Sequence, residues 1–445
     1  MSLHWLFEIF RQYGSHECVI WRDQSITYDE LLERTRQSRS FLAECKVQPG
    51  EAILLDADYS PGSIALLLAS IENRNIVVPL AAHVKSDREK FAEISEASWH
   101  LKVLPDDTYE ARSYSREMKH PLSLRLKSEG SAGLILFSSG STGEPKASLH
   151  NIDFLLAKYR VQRRSQRIVA FLLFDHIGGF NTLLHTLSNH GCLIALAARD
   201  AVSVCQAIER HRVEVLPTSP TFLNLLLMSE AWRDHDLSSL ELITYGTESM
   251  PEMTLRKLNQ VFPRVRFAQT YGLSELGILR SKSRTSDSLW VKVGGEDYET
   301  RVVDGILHVR AKSSMLGYLN APCPFDEDGW FNTQDEVEVD GEWLRFKGRK
   351  SDIINVGGEK VYPADVESVI LEVDNVIDAA VSKERHPITG NIVVATVAVR
   401  KPEPQRDLAR RIQAYCFKRL PRYKIPVKVY LAESTRMTER FKKQR

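Results

Sequence analysis

Short apolar runs alternate with amphipathic stretches along most of this chain. AILLDA (52–57), NIVVPL (75–80) and VKVY (427–430) are mainly apolar or β-branched and four to six residues long, which predicts buried strands. ITYDELLERTRQSRSFLAE (26–44) spaces its leucines for a helix and opens on Thr27-x-x-Glu30, a pattern in which each side chain satisfies a backbone N–H of the first turn. SIALLLASIENR (63–74) predicts a second helix. The opening MSLHWLFEIFRQYG carries Glu8 and Arg11 and lacks a basic leader and a small-residue cleavage site, so an amphipathic first helix is expected there. Alternation of strand and helix predicts an α/β fold with a largely parallel sheet.

Two stretches interrupt the pattern. Residues 105–130 are polar and pattern-poor and are expected to form a surface connection. At FKGRKSD (346–352) a glycine and a run of charge precede a new pattern: ADVESVILEV (364–373), NIVVATVAV (391–399) and DLARRIQAYCFKRL (407–420) suffice for a small α+β domain. The expected architecture is a large domain over 1–348, with mixed, largely parallel sheets and packed helices, followed by a small mobile domain over 349–445. A length of 445 residues already asks for more than one core. The 43% hydrophobic content is ordinary for a globular chain, and no apolar run reaches the roughly 18 residues of a membrane span. A net charge of +1 gives no electrostatic footprint for nucleic acid or an anionic membrane. The six cysteines form no CxxC pair, which predicts neither zinc site nor disulfide framework and suits a reduced, cytoplasmic setting.

The most informative stretch is LILFSSGSTGEPKASLH (134–150). An apolar strand runs into Ser138, Ser139, Gly140, Ser141, Thr142 and Gly143, then Glu144, Pro145 and Lys146. Glycines let backbone N–H groups converge on an anion, hydroxyls add donors, and Lys146 adds a mobile positive charge. The spacing is not that of a Walker A loop. Chance occurrence of Gly, Thr, Gly, Pro and Lys at this spacing is roughly 10⁻⁶ per start position at average residue usage. The string resembles the phosphate loop of the adenylate-forming superfamily, which comprises acyl- and aryl-CoA ligases, luciferases and peptide-synthetase adenylation domains.

Further motifs follow in register. QTYGLSELG (269–277) resembles the family's Tyr-Gly-x-Thr/Ser-Glu segment. The resemblance implies that Tyr271 stacks on adenine beside Gly272, Ser274 holds the α-phosphate and Glu275 helps bind Mg²⁺. These roles suit a π face, a hydroxyl donor and a hard oxygen ligand. YGTESMPE (245–252) resembles the strand end that runs along the adenine, with Gly246, Thr247 and Glu248 as candidates. GWFNTQDEVEVDGEW (329–343) places Asp335 where the family accepts both ribose hydroxyls, with Gln334 in place of a common glycine. FKGRKSDIINVGGEKVYPADVES (346–368) adds Arg349 to the ribose, a hinge at Ser351, and Gly357 and Gly358 where a pantetheine arm would thread. In 306–320, Ile306 and Ala311 replace the family's Glu and Gly, so a structural role is expected there.

LPRYKIPVKVYLAESTRMTERFKKQR (420–445) resembles the family's C-terminal element. Aligned without gaps from Leu420, Thr438 and Arg445 match, Lys442 falls on the catalytic lysine, with Lys443 as the neighbouring choice, and Phe441 replaces a glycine. In FLLFDHIGGFNTLLHTL (171–187), His176 and Gly179 resemble the His-x-x-Gly segment of CoA ligases, where the histidine borders the carboxylate; a reading centred on Asp175 would suit an amino-acid-activating domain. The fragments around Asp335 and Gly357 look most like small o-succinylbenzoate–CoA ligase-type enzymes.

The resemblance implies acid activation by ATP with Mg²⁺, pyrophosphate release, and acyl transfer to CoA or a phosphopantetheinyl carrier protein. Lys442 would bridge the carboxylate and the nucleotide, Lys146 would hold the phosphates, and His176 would border the acid. Other readings are an acyl–carrier-protein ligase, a free-standing adenylation domain, or a non-catalytic nucleotide-binding relative. The acid pocket is expected near 176–181, 218–224 and 244–248. Those segments show no evident cation for a second carboxylate, so an aliphatic or aromatic monoacid is expected.

Overall fold

The computed structural model describes residues 3–81, 87–139 and 144–432. The helix Tyr28–Glu44 begins at Thr27 with the expected reciprocal capping by Glu30. The second expected helix runs Pro61–Glu72, with Ser60 capping and Pro61 in the first turn. Its residues 61–71 are all buried, as befits a helix apolar on nearly every side, and it lies inside the main core.

Two seven-stranded sheets form the large body. In one, Ala52–Ala57 pairs parallel with Ile76–Ala81 and Trp99–Val103, and Ile76–Ala81 pairs parallel with Gly133–Ser139. In the other, Glu17–Trp21, Cys192–Ile194, Arg167–Val169, Val215–Thr218, Leu242–Tyr245 and Arg266–Gln269 are all parallel. A third sheet of six strands, from Arg280–Ser283 to Trp343–Arg349, is antiparallel throughout. Parallel pairing dominates the second sheet, whose other edge strand Gln24–Thr27 is antiparallel; the first is mixed, with Pro145–Asn151 and Tyr109–Ser113 added antiparallel, and the hairpin-linked third has no parallel pair. The stretch 105–130 is more than a connection: it holds the edge strand Tyr109–Ser113 and the helix Pro121–Ser128.

Beyond Arg349, a small core gathers Val366, Ile370, Val381, Val393, Leu408 and Ile412 around the helices Pro363–Ile370 and Gln405–Phe417 and a three-stranded sheet. Arg349 itself closes a strand of the third sheet. The small unit is fastened to the large one by Asn224, which donates to Asp378 at 2.9 Å, and by Lys257, which donates to the Leu371 carbonyl at 3.0 Å. That carbonyl belongs to the C-cap of Pro363–Ile370, where a cation meets the negative end of the helix. Among the described residues, no helix is long and apolar enough to cross a membrane.

Candidate functional site

Four parallel strands, Arg167–Val169, Val215–Thr218, Leu242–Tyr245 and Arg266–Gln269, end on one edge of their sheet, where open parallel sheets place ligand crevices. Leu172 and His176, Thr218, Gly246 and Thr247, and Thr270 and Gly272 close or follow these strands. All of them line one cavity of about 470 Å³. Gly246 is a close-approach glycine: a Cβ there would stand 2.8 Å from the Thr270 carbonyl oxygen. Thr247 has φ +73°, a conformation a β-branched residue adopts only when its surroundings enforce it. His176 caps the helix Ile177–Ser188, its Nδ1 accepting from Gly178 N at 3.1 Å, so in the neutral ring the proton sits on Nε2.

Beside the cavity lies a polar cradle. Asp335 and Arg349 face each other across the antiparallel strands Phe331–Asp340 and Trp343–Arg349. Asp335 accepts from the Tyr271 hydroxyl at 2.7 Å and lies 3.4 Å from Arg349 Nε. Burial pushes its carboxyl above the ordinary range, against the pull of Arg349 and Tyr271. Phe346 stacks on one face of the Tyr271 ring at 4.5 Å, which leaves a purine only the opposite face. Gln334, next to this carboxylate, has φ +62°, the physical reason a glycine suits the position; the left-handed conformation costs a non-glycine residue about 1 kcal/mol.

The strand Gly133–Ser139 turns back into Pro145–Asn151, which sets Ser138 opposite Lys146. Lys146 Nζ lies 5.3 Å from the Tyr318 ring centroid, and the Tyr318 hydroxyl donates to Glu275 Oε1 at 2.6 Å. Tyr318 therefore links the loop cation to the carboxylate expected to meet Mg²⁺. The described residues hold no cluster of three or more metal-ligating side chains. A Mg²⁺ that is bound mainly through substrate phosphates and water needs only one or two carboxylates, and Glu275 fits that demand. His150, at the far end of the Lys146 strand, donates from Nε2 to the Ser274 carbonyl at 2.6 Å and so ties the loop hairpin to the Tyr271–Glu275 segment. Gly140, Ser141, Thr142, Gly143 and Lys442 lie outside the described residues.

Burial pushes His150 down to about 4. Between the ordinary imidazole value near 6.5 and that lowered one, the unfolded chain binds a proton that the folded chain refuses, so stability falls as pH falls through this window. The expected contribution is on the order of 2 kcal/mol by pH 5. His150→Gln, which keeps an N–H donor, should lose less stability between pH 7 and pH 5 in thermal melts. His185, also pushed down to about 4 by burial, would supply what remains. An unchanged pH slope would remove His150 from this role.

Other expected residues lie apart from the cavity. Glu248 accepts from Thr221 N at 2.8 Å, at the start of the helix Pro220–Ser229. Ser351 sits exposed in a turn, its hydroxyl 2.8 Å from Asp352. Gly357 and Gly358 form the turn between Ile354–Val356 and Glu359–Val361, with φ of +59° and +94°. The sequence reading missed Tyr318, in a segment taken as structural, and His150. It also missed Lys158, Arg163 and Arg280, which line the cavity from outside the three segments expected for it. Lys158 and Arg163 stand in a basic stretch of the kind that usually reads as a solvated face.

Two family sequence models match the chain: AMP-binding enzyme over residues 6–319, and AMP-binding enzyme C-terminal domain over 365–442. An indoleacetate–CoA ligase of Aromatoleum aromaticum is 29% identical over 324 residues, 66% of this chain. The match spans 62% of that relative's length, a little under two thirds. A 2-succinylbenzoate–CoA ligase of Bacillus subtilis is 25% identical, with 97% of this chain and 94% of the relative covered. In three dimensions, an anthranilate CoA ligase in complex with anthranoyl-AMP superposes with a TM-score of 0.81 at 19% identity, covering 97% of this chain and 94% of that one. That likeness fixes the fold: mixed sheets with packed helices in a large domain, and a smaller C-terminal domain.

Proposed function

The chain belongs to the AMP-binding enzyme family, and on that premise we propose that it activates a carboxylic acid with ATP and passes the acyl group to the thiol of CoA. Gly272 carries this reading, because it lines the cavity while its neighbour Tyr271 holds Asp335 of the polar cradle. An acid in the cavity and a nucleotide in the cradle would therefore meet at one edge.

In the first step a carboxylate oxygen attacks the α-phosphorus of ATP, the bond to the β-phosphate oxygen breaks, and pyrophosphate leaves. In the second a thiol attacks the acyl carbon of the mixed anhydride and AMP leaves. Charge develops on phosphate oxygens, so positioning and electrostatic stabilisation suffice. Asp335 and Arg349 would hold the ribose, Tyr271 the adenine, Ser274 the α-phosphate, and Lys146 the phosphate chain. Glu275 would share Mg²⁺ with the phosphates, the ion supplying charge neutralisation there. Lys442 would bridge carboxylate and nucleotide. His176, its proton on Nε2, offers a donor to the acid. By family likeness the small domain rotates about Ser351 between steps and brings Gly357 and Gly358 to the thiol arm. Six unpaired cysteines, four of them buried, suit a reduced cytoplasmic setting.

Pyrophosphate release across aryl, fatty and amino acids, with and without CoA, tests the reading. Release that appears or rises with CoA is the expected result. Indifference to CoA would redirect the acyl group to a carrier protein. Nucleotide binding without release from any acid would sink the enzymatic reading.

A further inference from the structure

We propose that the acid activated in this cavity carries a second carboxylate, seated against Lys158, Arg163 and Arg280; the inference rests on the activation reading above. All three cations line the cavity. Lys158, half-buried on the short helix Ala157–Arg160, donates to Asn181 Oδ1 at 2.7 Å and to the Ile278 carbonyl at 2.9 Å. Both partners are neutral oxygens, and an ammonium has three protons to give, so one remains for a ligand. Asn181 also accepts from the Tyr159 hydroxyl at 2.8 Å, which fixes the side chain that orients Lys158.

Two other inward cations are matched with acids. Arg88 meets Asp56 at 2.9 Å, and Arg199 meets Asp58 at 2.9 Å. At Lys158 the pattern reverses: the charged groups acting on it are Arg163 and Arg280, both cations, and no carboxylate of the described residues is among them. Burial, helped by these like charges, pushes the ammonium down to about 7. A desolvated ammonium on the cavity lining, with two solvent-exposed guanidinium groups near it and no internal counter-charge, favours an anion from outside. The remaining wall includes Ile168, Leu172, Val215 and Leu242, which suits an apolar body between two acid groups. His176 and Gly246, which follow the strand ends, line the same cavity, so one carboxylate would be activated there while the other is held at the cations.

The test is pyrophosphate exchange with the full chain in the absence of CoA, so that CoA phosphates cannot be the anion read. Each hydrocarbon acid is paired with its counterpart bearing a second, distal carboxylate, in an aliphatic and an aryl series. The expected result is at least one diacid favoured tenfold or more over its monoacid in kcat/KM. Lys158→Met should cut that preference ratio at least tenfold, chiefly through KM. Arg163→Gln and Arg280→Gln, both at exposed positions, should reduce it by smaller, salt-sensitive factors. They keep the test decisive should Lys158→Met fail to fold. Monoacids favoured throughout, or a preference ratio that none of the three variants moves, would overturn the inference while leaving acid activation standing. An effect confined to the KM for CoA in the second half-reaction would overturn it as well. Exchange with no acid of either kind would instead bring down the activation reading and this inference with it.

Discussion

Asp335→Asn should lower kcat/KM for ATP in pyrophosphate exchange about 100-fold while the protein stays folded. The carboxylate is nearly buried, and its two oxygens already serve Tyr271 and Arg349. Each retains acceptor capacity for a ribose hydroxyl. Hydrogen bonds to a charged group contribute about 1.5–3 kcal/mol each, so loss of about 3 kcal/mol corresponds to roughly two orders of magnitude. Asparagine keeps an oxygen for the Tyr271 hydroxyl, so the fold should survive. Asp335→Ala leaves that buried hydroxyl without this partner and should cost a further 1–3 kcal/mol of stability, seen as a lowered thermal midpoint. An Asn variant with unchanged ATP dependence would show that the cradle does not hold the nucleotide.

Gly179→Ala should destabilise the large domain by about 3 kcal/mol or more, and its neighbour Gly178→Ala by far less. A Cβ on Gly179 would lie 1.9 Å from the Leu173 carbonyl oxygen and 2.6 Å from the Tyr59 hydroxyl. The first is backbone, so no rotamer change relieves it. A Cβ on Gly178 would meet the end of the Leu172 side chain at 2.7 Å, which can turn aside, and alanine returns about 1 kcal/mol of helix propensity. For a domain of this size about 3 kcal/mol is a shift of roughly 4 °C in Tm. Thermal melts of the two variants side by side decide the matter. Equal midpoints would mean that the start of the helix Ile177–Ser188 yields more readily than its packing implies.

Local pattern made some features legible. Thr27 and Glu30 announce their helix because both partners of the cap lie three residues apart. The fully buried strands Ala52–Ala57 and Ile76–Ala81 read as continuous apolar runs. The edge strand Tyr109–Ser113 is exposed along nearly its whole length and has no apolar alternation to betray it. The third sheet was hidden differently: Phe331–Asp340 alternates buried and exposed positions, but its residues drew attention as ribose ligands rather than as a strand. In the site, Lys146, Asp335 and Arg349 stood out because motif spacing carries them. Tyr318, His150 and Lys158 act through partners 43, 124 and 120 positions away, and no window along the sequence brings such pairs together.

The attachment of the small domain has a kinetic consequence. Arg349 is locked into a sheet of the large body, and the next strand begins at Ile354. The intervening link, 350–353, lets those two anchors separate by at most about 18 Å when fully extended. Such a short tether would hold the groups of the small domain at an effective concentration of millimolar order or above, whatever the concentration of the protein. The proposed exchange of one face of the small domain for the other would then be a first-order event, immune to dilution. Lengthening the link would thin that local concentration roughly as the −3/2 power of its length.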